Sequence, residues 1–390
     1  MNTQLKTIFV FLFLVCTLRG TAQNFSIDYP SYQNRNSDAL EISRIVRNDT
    51  ATILYMDAYS RPNYWIRLAS GLSLHGNQTG KNYPIIRSQG FELDKEVYMP
   101  ASGNVTFSLQ FAPLAPQEKM IDFIEGANKG DFQIKSISLN EQEKKGKIHC
   151  HISGKVIDSP QSSRLVLMKA HKNPSSSPWL SIPIRNGEFQ YDFYADHEEV
   201  YEVFIWNDML TGSWLPSLFF AENGPVSFTL YPASTRKPGL VSTSNPLTCE
   251  LQQLESERKA KFNFDSLYAQ MNKLYEENRF ESEALQTLWK RIEQVKDNNE
   301  ERNNIYRERD RLEESGEAYT EEGKALLVKI KQLNEEMNQW TIKHIKQNPS
   351  LPGLYVLTSK TEMARKGEDV TPFLNAYQET FASLYPEHPY

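Results

Sequence analysis

The sequence predicts a multidomain β + α protein: two antiparallel β-sandwich-like domains followed by a C-terminal helical segment. Three observations predict it. Val105-Thr-Phe-Ser-Leu-Gln-Phe111 alternates apolar and polar residues without a break, the pattern of a strand with one wet face. Asn186-Gly187 lies between two alternating arms, and Asn-Gly in that setting is the strongest short-range hairpin signal. Beyond the Pro-, Ser- and Thr-rich stretch 232–246, the apolar period changes from two to about 3.6.

Bulk properties bound the answer further. The 390 residues leave room for two or three domains at roughly 100–200 residues each. With 39% hydrophobic and 24% charged residues, the chain has the balance of a globular protein. Its aromatic content favours pleated, half-buried surfaces. A net charge of -6 leaves no basic excess to neutralise phosphates, which excludes a nucleic-acid binder.

In chain order, residues 1–22 read as a signal peptide. Lys6 supplies the positive start, 8–18 is an apolar run, and Gly20-Thr-Ala22 offers the small residues that a signal peptidase reads. A periplasmic or cell-envelope location is therefore expected. The apolar run is shorter than the about 20 residues of a spanning helix, and no later segment approaches that length. Cys16 follows Phe13, Leu14 and Val15, whereas a lipidation signal wants a small residue before its cysteine, so lipid attachment is not expected.

Residues 23–142 read as an N-terminal β-sandwich. Its short alternations at 52–56, 64–68, 121–124 and 132–134 are separated by turn residues at Arg61-Pro-Asn63, Gly76-Asn77 and 100–103. The charged run 141–147 reads as a linker. A second β-domain, of a type without known function, follows over 143–240, with strands at 164–168, 201–205 and 226–230 flanking the Asn186-Gly187 hairpin. Residues 241–390 form the helical region. Leu247, Leu251 and Leu254 open its apolar stripe, and Leu285, Leu288, Ile292 and Val295 continue it. Leu326, Ile330, Leu333, Met337 and Trp340 recur at 4-3-4-3 spacing. Ser315-Gly316 marks a turn, Thr320-Glu-Glu-Gly323 a cap, and shorter helices are expected near 351–359 and 372–384.

Little in the sequence looks chemical. Lys147-Ile-His-Cys-His-Ile-Ser-Gly-Lys-Val156 sets a thiol between two imidazoles, but strand alternation puts His149 and His151 on one face and Cys150 with Ile148 and Ile152 on the other. The three cannot converge on a metal, and the second domain adds only His171 and His197. No metal or cofactor is expected.

Cys150 and Cys249 could form a disulfide in an exported chain. The bridge would close a loop of 99 residues (249 − 150), worth about 4–5 kcal/mol on the chain-entropy account. The alternative, two independent buried thiols, is preferred, and Cys249 is placed inward because Leu247 and Leu251 flank it. No Cys-X-X-Cys pair, Gly-rich phosphate loop, Gly-X-Ser-X-Gly or His-Glu-X-X-His occurs. The acidic pairs Glu198-Glu199 and Glu313-Glu314 are expected on solvated faces. Trp179, Trp206 and Trp214 could form an aromatic binding platform, and core packing is the competing reading. Asp49-Thr-Ala51 and Asp265-Ser-Leu267 resemble a short O-glycosylation signal.

Trp65-Ile-Arg67, Val105 to Leu114, Ile121-Asp-Phe-Ile-Glu-Gly126 and Phe132-Gln-Ile134 resemble the N-terminal module of exported TlpA-like thiol-disulfide oxidoreductases. Ile152-Ser-Gly-Lys-Val156, Asn186-Gly-Glu-Phe189 and Phe219-Phe-Ala-Glu-Asn-Gly224 are similar to the small β-domain that follows in such proteins. Asn348-Pro-Ser350 with Gly353 resembles their connecting helices, and Tyr385-Pro-Glu-His-Pro-Tyr390 looks like the entry to their thioredoxin domain. The redox domain itself has no counterpart here, so no catalytic residue carries over. The resemblance implies an exported, non-catalytic accessory protein that binds a thioredoxin-fold partner or a client polypeptide. An envelope glycan- or peptide-binding module and a truncated member of the oxidoreductase family are the rival readings.

Overall fold

The computed structural model describes residues 25–128, 130–140, 145–174, 177, 179–295, 298–364 and 368–390. The expected signal peptide and residues 141–144 of the expected linker lie outside them.

The first region contributes eleven strands: β1 (Phe25–Asp28), β2 (Asn34–Arg35), β3 (Leu40–Arg47), β4 (Thr52–Tyr59), β5 (Trp65–Ile66), β6 (Ser73–Gly76), β7 (Asn82–Gln89), β8 (Val97–Tyr98), β9 (Asn104–Phe111), β10 (Met120–Ile124) and β11 (Gln133–Ser138). Nine of them form one sheet in the order β1-β3-β4-β9-β7-β6-β10-β11-β2, every neighbour antiparallel. At its centre β4 and β9 stay in register from Thr52↔Phe111 to Tyr59↔Asn104. Leu54, Met56 and Ala58 of β4 and Phe107, Leu109 and Phe111 of β9 alternate into one core, joined by Ile121, Phe123, Ile134 and Ile137. Each fully buried side chain of this kind contributes roughly 1.5–3 kcal/mol of transfer free energy. β5 and β8 stand apart as a two-stranded ribbon.

The second region adds β12 (Ile148–Val156), β13 (Arg164–Lys169), β14 (Leu180–Pro183), β15 (Glu188–Ala195), β16 (Val200–Ile205), a short helix α1 (Trp206–Leu210), β17 (Ser217–Phe220), β18 (Gly224–Leu230) and β19 (Leu240–Thr243). They form two four-stranded sheets, β15-β12-β18-β19 and β14-β13-β16-β17. The expected hairpin needs correcting here. Asn186 (φ 53°) and Gly187 (φ 77°) do make the left-handed turn that Asn-Gly favours. Its arms, however, meet in a single bridge, Arg185↔Glu188, and then diverge, β14 to one sheet and β15 to the other. Pro183 has no N–H to continue the ladder, and both arms carry apolar residues that a sandwich interior takes up separately.

Among the described residues, seven longer helical elements follow: α2 (Pro246–Lys261), α3 (Asp265–Glu276), α4 (Glu283–Gln294), α5 (Asn299–Ser315), α6 (Glu321–Gln347), α7 (Leu351–Glu362) and α8 (Thr371–Ala376). Sequence chemistry sets their ends. The Thr320 hydroxyl accepts the Gly323 amide at 3.0 Å, Ser282 and Ser350 cap α4 and α7 likewise, and Gly316 (φ 73°) closes α5. Gly323 is required for a second reason: a Cβ there would stand 2.4 Å from the Phe280 carbonyl oxygen. Glu222 caps α2 from a distance, accepting the Leu247 and Thr248 amides at 3.1 and 3.0 Å. The helices bury two clusters, one around Leu285, Leu288 and Ile305, the other around Leu251, Ile345, Leu354 and Phe381.

The protein is thus multidomain β plus α, with antiparallel sheets and a C-terminal helical segment. It divides into two compact units that interleave along the chain. One holds residues up to Gly146 with Val156–Leu165 and Pro183–Asp192; the other holds Lys147–Lys155, Val166–Ile182 and Phe193–Tyr390. Among the described residues, no helix is long and apolar enough to cross a membrane.

Candidate functional site

Among the described residues, Cys150 and Cys249 are both free. Cys150 points inward from β12 beside Ile152, as alternation requires, while His149 is exposed and stacks on Tyr194. Burial pushes the Cys150 thiol up to about 12, with the Glu222 backbone amide pulling partly back. Cys249 corrects an expectation: it is exposed. On α2 the inward stripe runs through Thr248, Leu251 and Leu254, and Cys249 lies one residue, about 100°, off it. Its sulfur donates to the Thr243 carbonyl at 3.4 Å.

The three tryptophans do meet, but mostly inside. Trp179 (9% exposed) and Trp206 (8%) pack with Val166, Met168 and Phe204, and half-buried Trp214 stacks on Phe204 at 5.6 Å. The platform reading therefore fails for Trp179 and Trp206, whose faces are taken by neighbours.

Glu199 also departs from expectation, being buried and ion-paired with Lys169. It belongs to a polar cluster in which His171 Nε2 and Tyr355 Oη lie 2.7 Å apart with stacked rings, and Lys172 pairs with Glu362 at 3.0 Å. Burial pushes the nearby Glu202 carboxyl up to about 7, against a hydrogen bond from the His171 backbone amide, and burial lowers His171. The cavity these groups surround is about 70 Å³, room for roughly two waters at 30 Å³ each. That cluster is structural in scale. Among the described residues, no group of three or more His, Cys, Asp or Glu side chains is placed to hold a metal.

An exposed aromatic surface lies elsewhere, on the β5–β8 ribbon. Trp65 pairs directly with Tyr98, and Ile66 with Val97. Alternation sends Ile66 and Met99 into the core and leaves Trp65 (49% exposed), Tyr98 (59%) and Tyr64 (58%) outward. Backbone bonds from Asn63 to Met99 (3.0 Å) and from Met99 to Tyr64 (2.8 Å) fix the ribbon's end. Asn63 (φ 65°) and Asp94 (φ 62°) hold left-handed conformations beside it. Around the rings, Tyr98 Oη donates to Glu96 at 2.8 Å, and Arg67 faces Asp94 at 3.9 Å. Hydrogen bonds from Ser70 hold the Asp94 carboxyl below its usual range. This ribbon escaped the site reading because a two-residue strand leaves too short a pattern to tell an outward ring from an inward one. The turn Arg61-Pro-Asn63 was the available signal.

No family model matches the chain, and no curated protein does. Ten chains of solved structures show some similarity. Pullulanase type I from Bacillus subtilis is 10% identical over 43% of this chain and 23% of its own, with a TM-score of 0.13. The Bacillus anthracis TIE protein is 8% identical over 54% and 40%, with a TM-score of 0.13. The group B streptococcus pilus 2b backbone protein is 9% identical over 43% and 83%, with a TM-score of 0.11. The matches span less than half the length of the first two proteins.

Proposed function

We propose that the chain is an exported accessory protein without a redox centre of its own, which binds a polypeptide partner through the ribbon of Tyr64, Trp65 and Tyr98. The outward aromatic pair Trp65↔Tyr98, flanked by Arg61 and Arg67, carries the reading. Trp, Tyr and Arg are the residue types that dominate binding energy at protein interfaces, and rigid rings lose little entropy on docking. The resemblance to the pre-thioredoxin region of TlpA-like oxidoreductases supports an accessory role and points to a thioredoxin-fold protein or its client as partner. The cysteines fit that role: one thiol is held protonated by burial, and the other donates to a backbone carbonyl.

The test uses fluorescence anisotropy of labelled, carboxymethylated lactalbumin as an unfolded client, with a purified thioredoxin-fold protein as second probe. Binding of one probe that weakens at least tenfold in the Trp65→Ala/Tyr98→Ala variant, at unchanged Tm, is the expected result. Unaltered binding in that variant, or binding of neither probe, overturns the contact surface. Insulin reduction that depends on Cys150 or Cys249 overturns the non-catalytic reading.

A further inference from the structure

A second site stands on an observation independent of the ribbon. Between the 102–104 turn, the 156–163 loop and the Asn186-Gly187 turn lies an open trough of about 480 Å³. That volume falls within the roughly 300–1,000 Å³ of small-molecule sites. Its hydrogen-bonding walls come from Ser102, Asn104, Asp158, Ser162, Ser163 and Asn186, and Val156, Pro160 and Ile184 add apolar patches.

Three features make this a built site rather than a dent. The first is that its loops are pinned. Arg164, 1% exposed, follows one of them; it donates to the Asp38 carbonyl at 2.8 Å and lies 4.3 Å over the Tyr59 ring. Arg185, immediately before the turn, donates to buried Asp57 at 2.7 Å. Backbone bonds from Val156 to Gly187 and from Ile184 to Ser163, both 2.8 Å, tie the loops together. Walls fixed in this way cost little to order when a ligand arrives.

The second feature is a set of hydroxyls along one wall. Ser162 and Ser163 both line the trough, and the Ser162 hydroxyl is held by that of Ser159 at 2.6 Å.

The third is the chemistry of the lining. Among the described lining residues Asp158 is the one ionisable side chain, with no Lys, Arg or His. Anionic ligands are therefore disfavoured. Hydroxyls, amides and one carboxylate beside small apolar patches match the alternating O–H and C–H faces of a sugar ring. We propose that the trough binds a neutral oligosaccharide.

Isothermal titration of the full-length protein with maltotriose, cellotriose, xylotriose and chitotriose tests this, with trialanine as the peptide control. Saturable binding of at least one trisaccharide is expected. Asp158→Asn should weaken it at least fivefold, Ser102→Trp, which plugs the trough from an exposed rim position, should abolish it, and Trp65→Ala should leave it unchanged. If Ser102→Trp fails to fold, the Asp158→Asn result decides. Absence of binding across the panel overturns the proposal. So does binding insensitive to Asp158→Asn and Ser102→Trp, equal binding of trialanine, or loss in Trp65→Ala alone. The ribbon's polypeptide assay is unaffected by any of these outcomes.

Discussion

The two compact units handle charge in opposite ways. The first, beside exposed pairs such as Arg44–Asp28 and Arg67–Asp94, encloses at least one partner in several others. Arg164 is almost wholly enclosed against Asp38 and Tyr59, Asp57 is held by Arg185 and by the Thr106 hydroxyl at 2.6 Å, and Arg35 meets Glu41 in a largely buried contact. The second lays most of its ion pairs on exposed helix faces, as with Arg291, which bridges Glu301 at 3.0 Å and Glu308 at 2.6 Å between α4 and α5. Its buried Glu202 has no cation paired with it among the described residues. In the first unit, removing one partner strands the other or empties its place. In the second, solvent replaces a lost surface partner, and pH rather than partnership governs the buried acid.

The largest expected effect follows from Arg164→Ala. It forfeits the two hydrogen bonds to Asp38 and the stacking on Tyr59, and leaves a cavity. A loss of about 3 kcal/mol in urea unfolding is expected. A loss below about 1 kcal/mol would mean that the buried pairs of the first unit are no stronger than surface ones.

Glu202→Gln comes next. With a folded value raised from 4.5 to about 7, this carboxyl is preferentially protonated in the folded state. Its contribution is fully present below about pH 4.5 and lost as pH rises through 7. Gln removes the ionisation, so the variant should gain about 2 kcal/mol over the parent at pH 8 and less than about 0.5 kcal/mol at pH 5. Equal gains at both pH values would show that ionisation is not the cause. The smallest effect belongs to Arg291→Ala, whose Tm should stay within about 1 °C of the parent by calorimetry. A drop as large as that of Arg164→Ala would erase the contrast between the units.

Period carried most of the architecture. The switch near 232–246, the alternation that turns Cys150 inward and the cap at Thr320 are all local, and local patterns survive without knowledge of tertiary neighbours. What escaped was non-local. The Asn186-Gly187 turn is right, yet the pairing of its arms is decided by two sheets. Arg164 opens a strand of apolar residues and gives no sign that Asp38 awaits it. Cys249 misled because a 3.6-residue period places adjacent residues on different sides, so apolar neighbours two positions away say little about burial. Trp179 and Trp206 lie among apolar residues, and a rich apolar neighbourhood is what buries a ring, whereas Trp65 stays 49% exposed.

The interleaving of the units has a consequence for synthesis. Asp38 and Arg164 are separated by 126 residues, and Asp57 and Arg185 by 128. At roughly 5–20 residues per second on the ribosome, Asp38 and Asp57 wait about 6–25 seconds for their arginines. Until then Asp57 has the Thr106 hydroxyl of its own sheet but not its arginine. A nascent chain of this design acquires its full stability late, well after its first strands have been made.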